Sequence, residues 1–300
     1  MTPLSCCIAG YGPRKLGSAP AAVERLSQLN FPFITLSPAY AWNGSLLLAS
    51  GPSLQQLAHT AALAADRGMA VIIEPHLEYP ETLAGGAYRW RGELCIDPGG
   101  EYLSHLMAPL VGLLSCLPTS GYLTLGSELD LSLSVYADGW NSIRAALSAE
   151  GIRLGHKINH DFTHWTPAVA AYLRELDYVA VSFYPPYGRW QVLRRLRRRI
   201  ATPLAVGEFG LGSADCSRPW QWCAADFQVA ENRLVRRRFY LRMLDRLRRT
   251  DWLEYASFWT AGAYDVLGIH NQPSLDDLRD DTVIEAVASY NQKWKELHPR

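Results

Sequence analysis

The sequence predicts a single (β/α)8 barrel spanning residues 1–300, and three observations carry that prediction. Eight short apolar runs, each bounded by Gly, Pro, Asn or Asp, alternate with amphipathic segments along the chain. No Pro/Ser-rich linker, internal repeat or low-complexity tract divides them. A composition of 48% apolar and 19% charged residues over 300 positions suits one large core, and α/β barrels commonly run to this length as one domain. An open doubly wound sheet is the alternative. It usually carries a Gly-rich phosphate loop after its first strand, but here that loop reads Gly10 to Gly17 with Pro13 removing one of the amides.

The predicted strands are Ser5–Ala9, Phe33–Ser37, Ala70–Glu74, Tyr122–Leu125, Arg153–Ile158, Tyr178–Phe183, Leu204–Gly207 and Tyr255–Trp259. They are near-continuous apolar runs, as parallel strands covered on both faces require. Between them, Ser53–Arg67 places Leu54, Leu57, Ala58, Ala61, Ala62 and Ala65 on one helical face, with Gly68 as its stop. Asp138 is read as the N-cap of a helix ending before Gly151. Asp226–Arg249 is read as the longest helix, and Asp281–Lys295 closes the barrel.

Bulk properties exclude several functions. The formal net charge is zero, so no nucleic-acid partner is expected. Basic residues concentrate in Arg194–Arg199 and Arg236–Arg249, but apolar residues recur there at helical spacing, which reads as two solvated helix faces. No run approaches 18 apolar residues, so no membrane span is expected. The N-terminus lacks a basic segment followed by an apolar one. The expected location is therefore cytoplasmic, or secreted or periplasmic if a leader has been removed. None of the six cysteines forms a CxxC pair or a zinc-spaced cluster with histidine, and a Cys216–Cys223 bridge is left open.

In this fold chemistry sits at the C-terminal ends of the strands. Glu128 ends the fourth apolar run and Glu208 the seventh. Two carboxylates at buried strand ends are what a retaining glycosidase needs, one as general acid/base and one as nucleophile, about 5–5.5 Å apart. The other strand ends supply aromatic and hydrogen-bonding residues: Tyr11, Trp42, His76, Asn159, His160, Tyr184 and Trp259. Trp90, Trp220 and Trp222 stand in polar loops and read as cleft walls. Flat rings that cover apolar sugar faces, beside groups that bind hydroxyls, make a carbohydrate cleft. Glu74, His76 and Glu78 fit no metal signature, and sugar-binding or ion-paired roles are favoured for them. Double displacement by two carboxylates calls for no metal or organic cofactor.

The chain resembles clan A glycoside hydrolases, and most closely the family 113 β-mannanases and their relatives. The matching motifs are Leu125-Gly-Ser-Glu-Leu129, Gly207-Glu-Phe-Gly210, Val181-Ser-Phe-Tyr-Pro185, Ser213 with Arg218-Pro-Trp220, and Phe258-Trp259 with Tyr264-Asp-Val-Leu-Gly268. Each is short, but their order and spacing are specific over about residues 5 to 290. The resemblance implies retention of configuration on a β-linked, mannan-type poly- or oligosaccharide. It assigns Glu128 as a resting acid/base that is protonated and Glu208 as an ionised nucleophile. It further implies that Tyr184 hydrogen-bonds the nucleophile and that Trp259 floors the subsite holding the cleaved sugar. Two departures stand out: Ser127 replaces the Asn common before the acid/base, and no Arg follows strand 2 near Ser37–Trp42. A non-catalytic carbohydrate-binding barrel, in a polysaccharide export or surface assembly, is the rival reading.

Overall fold

The computed structural model describes residues 1–9, 19–148, 151–184, 190–270 and 278–299. Eight parallel strands close into a barrel in chain order. They are β1 (Leu4–Ala9), β2 (Phe33–Ser37), β3 (Ala70–Ile73), β4 (Gly121–Ser127), β5 (Ile152–Asn159), β6 (Tyr178–Ser182), β7 (Leu204–Phe209) and β8 (Leu253–Trp259). All eight expected strands are present, and closure through the β1–β8 pairing removes the open-sheet alternative.

Helices pack outside the barrel as the periodicity predicts. Ser53 caps helix Leu54–Asp66 through a capping box with Gln56, and Gly68 follows at a φ of 73°. Asp280 caps the closing helix Asp281–Leu297. Two details differ. Asp138 lies inside the first turn of helix Ala137–Leu147 rather than capping it. The longest helix begins at Ala230, because Ala224–Gln228 winds as a separate 3₁₀ turn. Cys216 and Cys223 are free thiols, Cys223 Sγ meeting Asp226 Oδ1 at 3.0 Å.

The barrel interior is layered, apolar at the bottom and charged at the top. At the N-terminal end, Phe33, Tyr122, Tyr178 and Tyr255 pack ring on ring with Ile72, Ala180 and Ala205. Gly155 leaves the space that the Tyr178 ring fills. Arg153 of β5 reaches across this mouth to Glu254 of β8. Above lies a hydroxyl layer in which Ser5 meets Thr35 at 2.8 Å and Ser257 meets Thr35 at 3.2 Å. Next come Cys7, Ser37, Glu74 and Lys157, all buried. On the rim, Pro38 and Pro75 interrupt the second and third strands. Beyond them Ala39–Trp42 and His76–Glu78 pair again, with Leu46–Leu47 alongside, as a small separate sheet.

Candidate active site

Both rim glutamates owe their placement to a register shift. In β7, Val206 stands opposite Val181 and Glu208 opposite Ser182, so β7 spends one residue more than β6. Strict alternation after inward Ala205 would turn Glu208 outward; the bulge at Gly207 turns it in. In β4 a similar shift lies between Thr124 and Ser127. Glu128 follows at a φ of 56°, a left-handed conformation that is uncommon for a residue with a side chain. Its amide donates to the Lys157 carbonyl at 2.9 Å.

Two cations organise the carboxylates. Lys157, inward-facing on β5 and fully buried, donates to Glu74 Oε1 and to Glu208 Oε2 (3.2 Å), and its Nζ lies 3.3 Å from His76 Nε2. Gly207 gives its chain room, since a Cβ there would fall 2.8 Å from Lys157 Cδ. Arg91 comes from the loop after β3. It donates through Nη1 to Glu128 Oε2 at 2.7 Å, through Nε to Glu78 Oε1 at 2.8 Å, and through Nη2 to the same Glu78 oxygen.

Glu128 and Glu208 lie within each other's electrostatic reach at the rim. Burial raises Glu208 to about 7 against the pull of Lys157, with the Glu128 and Glu74 charges adding to the rise. Burial also acts to raise Glu128, but the Arg91 and Lys157 charges outweigh it and hold this carboxyl below its ordinary range. The two carboxyls are thus shifted in opposite directions, Glu208 up and Glu128 down, against the expected resting state of protonated Glu128 and ionised Glu208; Arg91, which carries no motif, is the largest influence holding Glu128 down. Nearby, burial lifts Asp130 to about 7.

The remaining expected residues fall into three groups. Asn159, His160, Tyr184 and Trp259 gather at the C-terminal ends of β5, β6 and β8. Asn159 Nδ2 donates to Asp130 Oδ2 at 3.3 Å, and His160 Nδ1 lies 3.2 Å from the Ser182 carbonyl. The Tyr184 ring meets Tyr264 edge-on at 5.9 Å; among the described residues the Glu208 side chain is bonded by Lys157, not by the Tyr184 hydroxyl that the resemblance implied. His76 is fully buried, stacked on Trp259 (5.7 Å, 14°) and within hydrogen-bond distance of Glu74. Trp42 is half-buried on the rim sheet, packed against the core. Trp220 and Trp222 are exposed, and the Tyr264 hydroxyl holds the Trp220 carbonyl. Tyr11 lies outside the described residues.

Glu74, His76 and Glu208 each turn one ligand atom toward a common point, all within 4.8 Å of one another, a spacing that suits a metal ion. The Lys157 ammonium touches all three of those atoms. The donor set is thus already served by a cation belonging to the chain.

Glu128 and Glu208 thus stand at the ends of strands four and seven, at the C-terminal rim of a closed parallel barrel. No protein-family model and no curated relative matches the chain. Among solved structures it is similar to the family 113 β-mannanase of Alicyclobacillus acidocaldarius, with 20% identity, a TM-score of 0.67, and coverage of 96% of this chain and 97% of that one. A second family 113 β-1,4-mannanase gives 14% identity and a TM-score of 0.72 over 97% and 98% of the two chains. A family 5 subfamily 18 protein of Streptomyces cattleya, solved with Manβ1-4GlcNAc, gives 13% and 0.60 over 99% and 82%. At these identities the likeness is one of fold.

Proposed function

We propose that the protein is a retaining β-glycoside hydrolase that cleaves a β-linked, mannose-containing poly- or oligosaccharide. The observation that carries this reading is that Glu128 and Glu208, at the ends of strands four and seven, come together at the barrel rim within each other's electrostatic reach. Inverting enzymes hold their carboxyls about 6.5–9.5 Å apart to admit a water, whereas retaining pairs stand close enough for one to attack carbon while the other serves the leaving oxygen. The mannose assignment rests on the β-mannanases among the solved neighbours.

In this reading the substrate enters between the carboxyls and takes Arg91's place on Glu128. Glu208 passes its proton to Glu128 and attacks the anomeric carbon. Glu128 delivers the proton to the departing oxygen, leaving a glycosyl ester on Glu208. Glu128 then removes a proton from water, which attacks the ester from the face the leaving group vacated. Trp259 lies under the cleaved sugar, and Trp220 lines the approach.

Azide separates the two roles. General acid–base help is worth about 10²–10⁴-fold. With an aryl β-mannoside, whose leaving group needs little protonation, Glu128→Ala should form the glycosyl ester and stall there. Azide should then restore turnover and give the β-glycosyl azide. In Glu208→Ala, azide should enter the vacated face and give the α-azide. The α-product from Glu128→Ala would reverse the roles. Failure of the wild type to cleave any β-mannoside or mannooligosaccharide would leave a binding barrel.

A further inference from the structure

We propose that Arg91 is a positioning residue that clamps Glu128 to Glu78 and thereby ties the aromatic wall on the leaving-group side of the cleft to the acid/base. The assignment of Arg91 as clamp stands on geometry alone; the leaving-group side rests on the hydrolase reading above.

Arg91 is 5% exposed and its guanidinium faces two carboxylates that are themselves buried. The residues around it are pinned in turn. Arg89 lies over the Tyr79 ring at 3.7 Å. The Trp90 indole folds over Gly92, where any side chain would collide with it. Arg91–Glu93 is a 3₁₀ turn. The large apolar side chains that this anchored segment leaves exposed are Tyr88 and Trp90. Tyr88 lies within the field of Arg91, Glu128, Glu78 and Glu208, which places it at the mouth of the site. An acid/base must stand beside the oxygen that departs. A wall tied to Glu128 therefore borders the departing sugar.

The clamp couples two events. Arg91 Nη1 holds Glu128 through its Oε2. A sugar that pushes the wall outward pulls Arg91 from Glu128, and Glu128 loses the charge that kept it ionised. Other groups act on Glu128 as well. Lys157 on β5 also favours its ionised form, and Glu208 on β7 lies within its field. Glu74 just after β3 and Asp130 on its own segment feel its charge, as do Tyr184 and Tyr264.

The test is a ¹³C-carboxyl NMR titration of Glu128, assigned with Glu128→Gln, alongside the pH profile of kcat/KM on mannohexaose. An opposite charge at this range lowers a carboxyl by about 1–3 pH units. Arg91→Met should therefore raise the Glu128 midpoint by about one unit or more, and move the basic limb of the profile to higher pH with it. Arg91→Lys should return both toward wild type. Glu78→Gln, which leaves the guanidinium less neutralised, should move the midpoint the other way. An unmoved midpoint in Arg91→Met, or equal shifts in the Met and Lys variants, overturns the proposal. The midpoint is measurable without turnover. If it shifts as stated while wild type leaves mannohexaose intact, the clamp stands and the hydrolase reading falls.

Discussion

Lys157 is an ammonium with no exposed surface, and burying a charge costs several kcal/mol unless partners repay it. Glu74 and Glu208 do so, which makes the lysine and its acids one electrostatic unit. Lys157→Met should break the unit in two measurable ways. Removing a cation that lowers Glu208 raises that carboxyl further, so the acid limb of the pH profile should move up and turnover at neutral pH should fall. Leaving Glu74 as a buried acid without its cation should destabilise the fold by about 3–5 kcal/mol, read from denaturant melts. The Lys157 contribution is itself pH-dependent. Its folded pKa is raised, so its stabilisation is complete below about pH 10, the unfolded lysine range, and is lost only as pH climbs above that. The signal for Lys157 was present in the sequence. Arg153, Gly155, Lys157 and Asn159 form the period-2 polar and small set of strand 5, against apolar Ile152, Leu154 and Ile158. Such a set points into a barrel. Arg91 had no comparable signal, because a loop residue obeys no periodicity and its two carboxylate partners lie 13 and 37 residues away.

Elements, unlike contacts, were legible almost throughout. Phe33–Ser37 begins and ends where the apolar run does, and the other strands differ by only a residue or two at their ends. What alternation could not show was the pair of bulges that turn Glu128 and Glu208 inward. A glycine inside a strand pattern is the trace such a bulge leaves, and Gly207 and Gly126 are that trace. The β7 bulge also makes a prediction. An alanine at 207 would set its Cβ 2.8 Å from Lys157 Cδ and 3.0 Å from the Ala180 Cβ. Overpacking of this kind typically costs about 1–3 kcal/mol. Gly207→Ala should lower the denaturation midpoint by a matching amount and reduce turnover, because the lysine that must give way holds Glu208. Wild-type stability in this variant would show that the bulge has room the structure denies.

Across the whole molecule, the two ends of the barrel do different work. The bottom is closed by tyrosines packed edge to face and by the Arg153–Glu254 pair, which links strands three places apart around the ring. Conservative repair is possible there, since nothing at that end touches the rim carboxylates. The pair is partly exposed, so its net worth is discounted to about 1 kcal/mol. Glu254→Ala should lower Tm by about 2 °C while leaving the pH profile of any mannoside cleavage in place. A change in the profile would mean that the bottom reports to the top.

The ammonium inside the Glu74, His76 and Glu208 triangle has one more consequence. A counter-ion held by coordination comes and goes with its concentration in the surroundings, and a competing ion or a chelator can take it. This one is tethered to strand 5 by a four-carbon stem, so its occupancy is written into the chain and does not depend on supply. The price is adaptability: a tethered ion cannot be exchanged for a stronger one, and its reach is fixed by a glycine on the neighbouring wall of the barrel.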